Sequence, residues 1–166
     1  PDFIFGLTNT FKYKGFDLSL FFQGTGLVEF SYASGFGTTP FSQGATYGNM
    51  FTTVLDRWDP ANPDKETLYP RLSTNETTTT NYYSSTWWTK RADYIRLKQA
   101  ELGYNFNNTS GFLKKLAINK VRLYANGTNL FTISKWDFWD PELGDGRGLV
   151  YPLTRVYNVG LRVNFQ

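Results

Sequence analysis

Apolar and polar residues alternate strictly over the closing stretch TRVYNVGLRVNFQ. Tyr157, Val159, Leu161, Val163 and Phe165 are apolar, while Asn158, Gly160, Arg162, Asn164 and Gln166 are polar or glycine. A period of two puts successive side chains on opposite faces, so residues about 154–165 are read as a strand with one greasy and one wet face. The beginning behaves alike: Phe3, Phe5, Leu7, Phe11 and Tyr13 share a face that only Asn9 interrupts, opposite Gly6, Thr8, Thr10 and Lys12. Lys14-Gly15 follows as a two-residue turn, with glycine suited to the positive φ of a primed hairpin turn. Phe16, Leu18, Leu20 and Phe22 then resume the alternation, which predicts a hairpin of strands 3–13 and 16–23.

A third strand is predicted over about 92–106, where Ala100, Leu102, Tyr104 and Phe106 alternate with Gln99, Glu101, Gly103 and Asn105. Upstream the apolar phase is the other one, at Ile95 and Leu97, so a β-bulge or a change of environment is expected near Lys98. A fourth strand, about 118–131, puts Val121, Leu123, Ala125 and Phe131 on one face and Lys120, Arg122, Tyr124 and Asn126 on the other. Helical periodicity takes hold nowhere, and the fold class is all-β.

The connections between these strands are unequal. Short links at 14–15 and about 107–117 alternate with long polar ones at about 24–91 and 132–153. Loops this long are uncommon inside compact domains. In transmembrane barrels short periplasmic turns alternate with long external loops, which is the order found here. On that reading the fold is an antiparallel transmembrane β-barrel with 24–91 and 132–153 as extracellular loops and a periplasmic C-terminus. Tyr13, Phe16, Tyr104, Phe106 and Phe165 then end at one level, as an aromatic girdle at a lipid headgroup boundary requires. Five strands fall below the minimum of about eight for such a barrel, so the chain is expected to be the C-terminal portion of a larger one. The competing fold is a β-sandwich, whose inner faces also alternate and hold aromatics; its function would be that of a secreted carbohydrate-binding module.

Composition narrows the chemistry. Among 166 residues there is no His and no Cys, which removes His-based acid–base catalysis, thiol nucleophiles, disulfides and ordinary zinc sites. No enzymatic activity and no resident cofactor are expected. Seventeen basic and 14 acidic residues, evenly spread, are too balanced for a nucleic-acid footprint. Fifteen Phe, 11 Tyr and 5 Trp nevertheless coexist with a mean hydropathy of −0.41. Strands with one apolar and one polar face reconcile the two.

Six segments carry a family resemblance in order: PDFIFGLTNTFKYKGFDLSLFFQG, VLDRWDPANPD with the following YPR, ADYIRLKQAELGYNF, VRLYANGTNLFTIS, the WDPE loop and YPLTRVYNVGLRVNF. Together they resemble the C-terminal end of SusC-like (SusC/RagA-type) TonB-dependent transporters of Bacteroidetes outer membranes. The resemblance implies a barrel of about 22 strands, of which these would be the last five, with the plug and upstream strands outside this chain. It further implies nutrient uptake, as import of oligosaccharides or oligopeptides with a SusD-like surface lipoprotein, and energy from the TonB system acting through the missing N-terminal region. The closing Gly160, Leu161, Val163 and Phe165 resemble the signal read by barrel-assembly machinery; Gln166 departs from the usual aromatic terminus.

Several residues are candidates for contact with a ligand or partner. Arg57, Trp58 and Asp59 in the longest loop combine an indole face with polar neighbours, an arrangement that suits sugars and equally suits a loop anchor. Trp87 and Trp88 stand at the outer start of the third strand, where an interfacial pair is expected without a ligand. Trp136, Trp139 and Asp140 lie in the last loop. There Asp137, Asp140, Glu142 and Asp145 are also weak candidates for calcium, although their spacing is not that of an EF-hand. Lys120, Arg122 and Arg162 fall on polar faces, where pairing across the wall or to a plug is expected ahead of substrate contact.

Overall fold

The computed structural model describes residues 1–32, 52–72, 81, 83, 85–107, 117–144 and 150–165. The alternating segments form β1 (Phe3–Tyr13) and β2 (Phe16–Gly26), joined by a turn in which Lys14 and Gly15 have φ of 45° and 90°. Both central residues in the left-handed region match the twist of the flanking strands. Beyond β2 come two three-residue strands, β3 (Glu29–Ser31) and β4 (Thr89–Arg91), then β5 (Tyr94–Asn107), β6 (Ile118–Ser134) and β7 (Val156–Phe165).

The second strand thus runs three residues beyond its predicted end at 23 and the fourth three beyond 131, while the third and last begin two residues later than predicted. The long connection, read as loop throughout, contains β3 and β4. These strands are short because the alternation Val28, Phe30, Tyr32 against Glu29 and Ser31 lasts only five residues.

Five strands make one antiparallel sheet in the order β1-β2-β5-β6-β7, a meander apart from the insertion of β3 and β4. Its register stacks like on like. Phe11, Leu18, Leu102, Ala125 and Val159 form one row across all five strands, and Thr10, Ser19, Glu101, Asn126 and Asn158 another. These rows face opposite ways, because the register differs by one residue on every strand.

The bulge expected near Lys98 is present. Phe21 pairs with Gln99 but Phe22 with Leu97, and on the other side Leu97 pairs with Phe131 but Gln99 with Thr128. Lys98 is thereby passed over, and β6 accommodates the break with Asn129 at φ 53°. The extra residue returns Leu97 and Ile95 to the face of Ala100 and Leu102. What reads as a phase slip in the sequence keeps the apolar face continuous in space.

Most of that face is open, although Leu97 on it is buried. Leu102, on the central strand, is 51% exposed, and Val159 79%. A β-sandwich would bury such a surface under a second sheet, so this exposure speaks against the sandwich alternative.

The chain divides into two compact units. One holds the five-stranded sheet (1–28, 92–135 and 152–166); the other gathers 29–91 and 136–151. In the second, β3 pairs with β4 and the core is aromatic: Tyr32, Tyr69, Trp88 and Trp136 are all buried.

Candidate functional site

The sheet's polar face carries an ion-pair network. Arg122 on β6 pairs with Asp17 on β2 and, at 2.8 Å, with Glu101 on β5. Asn105 joins them, its Nδ2 donating to Asp17 Oδ2 at 2.7 Å, and its backbone N–H donates to the Gly15 carbonyl at 2.8 Å. Asn126 Nδ2 reaches Glu101 Oε2 at 3.4 Å, and Asn158 Nδ2 donates to Asn126 Oδ1 at 3.0 Å. The polar chain therefore crosses from β2 to β7.

Two glycines make the arrangement fit. The Arg122 guanidinium lies where a Cβ on Gly103 would stand, and the Tyr124 ring occupies that place at Gly160. The guanidinium carbon also sits 5.2 Å from the Tyr124 ring centre. A side chain at Gly103 would require the Arg122 guanidinium to shift. Arg122 stands directly opposite Arg162 in register, an unfavourable like-charge pair. Turning toward Asp17 and Glu101 relieves it.

Lys120 and Arg162 share this face and are exposed, with no ion pair to either among the described residues. Sequence had pointed to Lys120, Arg122 and Arg162, but the acidic partners, nonadjacent along the chain, emerge only from register. Another residue missed by sequence is Arg96, 1% exposed on β5. Its guanidinium carbon lies 5.8 Å from the Tyr94 ring centre.

At the short-turn end of the apolar face Tyr13 pairs with Phe16 and Phe16 with Tyr104. The Phe16 and Tyr104 ring centres are 4.5 Å apart, and those of Tyr104 and Phe106 4.7 Å. Phe165 stands opposite Ile118, two strands away from this cluster. Of the residues resembling an assembly signal, Gly160, Leu161, Val163 and Phe165 all lie on β7, with Leu161 and Phe165 exposed. Gln166 is outside the described residues.

The loop candidates separate into packed and presented groups. Trp88 and Trp136 are 2% and 4% exposed, so their rings pack the core and offer no open face. Of the other tryptophan candidates, Trp87 is exposed and Trp58 and Trp139 are partly so. Trp87 Nε1 donates to the Leu68 carbonyl at 3.3 Å, and Trp139 Nε1 to that of Gly144 at 2.9 Å.

Arg57 bridges to Tyr69, and the Trp58 N–H donates to the Tyr69 carbonyl at 2.8 Å. Asp59 Oδ1 accepts from the Ala61 N–H at 2.9 Å, which makes it a turn former. Next to it, a hydrogen bond from Lys65 holds the Asp56 carboxyl below its ordinary range, against the opposing effect of burial. Burial pushes the Tyr32 and Tyr69 phenols up.

Asp140 caps a 3-10 turn (Pro141–Leu143), its Oδ1 accepting from the Glu142 N–H at 3.0 Å. Among the described residues no three metal-ligating side chains converge; Asp145, the fourth of the calcium candidates with Asp137, Asp140 and Glu142, is outside them.

No protein-family model matches the chain. Among curated proteins, TonB-dependent receptor P26 of Formosa agariphila is 33% identical and TonB-dependent receptor P3 of the same organism 29%, each aligned over 99% of this chain. Along its whole length the chain is similar to TonB-dependent receptors. It spans only 16–17% of those relatives. Among solved structures, the RagAB peptide transporter superposes with a TM-score of 0.65 at 23% identity, over 91% of this chain and 16% of that one. The RagAB peptide importer in its open-open state gives 0.67 at 22%, over 98% of this chain and 17% of that one. At those identities the structures speak for the fold, an antiparallel barrel wall, and the resemblance drawn from six ordered segments holds. The proteins so matched are named receptors and transporters, which points away from enzymatic activity.

Proposed function

We propose that this receptor-like chain supplies barrel wall and extracellular loops to an outer-membrane TonB-dependent importer. One observation carries the reading: a single sheet exposes a continuous apolar face while its other face holds a charge-paired network. Such a sheet suits lipid on one side and a polar lumen on the other. The cluster of Tyr13, Phe16, Tyr104 and Phe106 would stand at the periplasmic headgroup level, with Phe165 at the same end and β7 running down to a periplasmic C-terminus. In this reading the cargo is an oligosaccharide or oligopeptide, and a SusD-like lipoprotein works with the loops. Coupling to TonB would lie in parts of the protein beyond these residues.

A cysteine scan of β7 in the full-length protein tests the wall assignment. In outer-membrane vesicles, fluorophores at Val159→Cys and Leu161→Cys should be quenched by nitroxide lipids, while those at Asn158→Cys and Arg162→Cys should not. Uniform quenching along the strand, or recovery of the protein in the soluble fraction, sinks the proposal. Cargo class is read from uptake of labelled oligosaccharides and oligopeptides by cells with and without the full-length gene.

A further inference from the structure

The two long connections are far apart in sequence, yet their rings share one core. Tyr32, from the first, stacks on Phe138, from the second, with centres 4.8 Å apart and planes 13° from parallel. Its edges meet Trp88 at 5.1 Å and Tyr69 at 6.4 Å. Phe30 meets Trp136 edge-on at 5.5 Å, and Trp136 in turn contacts Phe138 at 4.8 Å and Trp139 at 4.6 Å.

We infer that residues 29–32, 52–72, 85–91 and 136–144 order as one cooperative unit, with Phe138 and Trp136 closing a core organised by Tyr32, so that a change in either connection loosens both. This stands independently of cargo and partner.

Among the described residues, regular backbone pairing within the long connection is short. The β3–β4 ladder has three residue pairs, and the 3-10 turns are three or four residues long. Tyr32 does more of the tethering. Its hydroxyl donates to the Leu68 carbonyl at 2.8 Å, with that of Trp87 at 3.2 Å, and its N–H donates to the Trp88 carbonyl at 3.0 Å.

Phe138 covers one face of this ring. Removing it would wet Tyr32, and through Tyr32 three backbone points of the other connection. Coupling of this kind is reciprocal: whatever orders one segment favours order in the other.

Hydrogen exchange on the full-length protein in detergent provides the test. Phe138→Ala should speed exchange of the Tyr32, Trp58 and Tyr69 amides about tenfold or more, while amides of β2, β5 and β6 keep their rates. Tyr32→Phe, which keeps the ring but loses the hydroxyl, should speed exchange at Leu143 and Gly144 in the opposite connection by a smaller factor. Phe138→Tyr should restore the parent pattern. Acceleration confined to the mutated connection overturns the inference, as does equal acceleration in the sheet.

Discussion

The sheet and the loop unit bury opposite things. In the loop unit Tyr32, Tyr69, Trp88 and Trp136 are withdrawn from solvent, as in any water-soluble core. In the sheet, Phe11, Leu102 and Val159 point outward, while Arg122 and its carboxylates occupy the other face. Both obey the same physics under different surroundings. Apolar surface leaves water wherever it can: the described loop residues pack their rings on one another, whereas the strands present their apolar face to whatever adjoins it.

The largest expected effect falls on the loop unit. Trp88→Ala removes a ring packed against Tyr32 and Tyr69, and should cost about 3–5 kcal/mol of local order. Protease cleavage within 52–91 should rise while the sheet stays resistant; joint loss of both would erase the distinction between the units.

Next is Leu102→Arg at the centre of the apolar face. If that face meets lipid, refolding of the full-length protein into liposomes, followed by urea titration, should show a loss of about 2–4 kcal/mol. On a water-exposed sheet the same change would be nearly silent, so a loss under about 0.5 kcal/mol removes the contrast.

Arg122→Met sharpens the comparison from the polar side. It leaves Asp17 and Glu101 without their shared cation and should destabilise by about 1–3 kcal/mol, and adding Asp17→Asn should recover part of the loss. Strict additivity of the two changes in the same titration would show that they do not interact.

Smallest is the pH response, expected in the loop unit. Tyr32 and Tyr69 hold their protons more tightly when folded than the ordinary value near 10, so their contribution is full below that value and is lost as pH rises above it. Asp56 behaves in reverse: its lowered value contributes above about pH 4 and fades as pH falls further, by under about 1 kcal/mol because the pair with Lys65 is exposed. Protection of the loop amides, taken relative to their intrinsic exchange rate at each pH, should therefore fall at high pH, and only slightly in acid.

The hairpin and the bulge at Lys98 were legible because each depends on neighbours along the chain. The ion-pair network was half legible: Arg122 could be assigned to a polar face, but Asp17 lies 105 residues from it and is reached only through β5. The burial of Trp88 and Trp136 was not legible for a related reason. A tryptophan in a polar loop looks presented until the loop that covers it is known.

By itself the sequence determined the period-two alternation, the hand of the turn at Lys14-Gly15 and the resemblance to a receptor family, since these rest on local sterics and on the order of residues. Tertiary structure alone decided which rows of side chains stack across five strands, that Gly103 makes room for Arg122, and that two distant connections share one core. Those outcomes depend on register and ring packing between segments far apart in the chain, where no local preference acts.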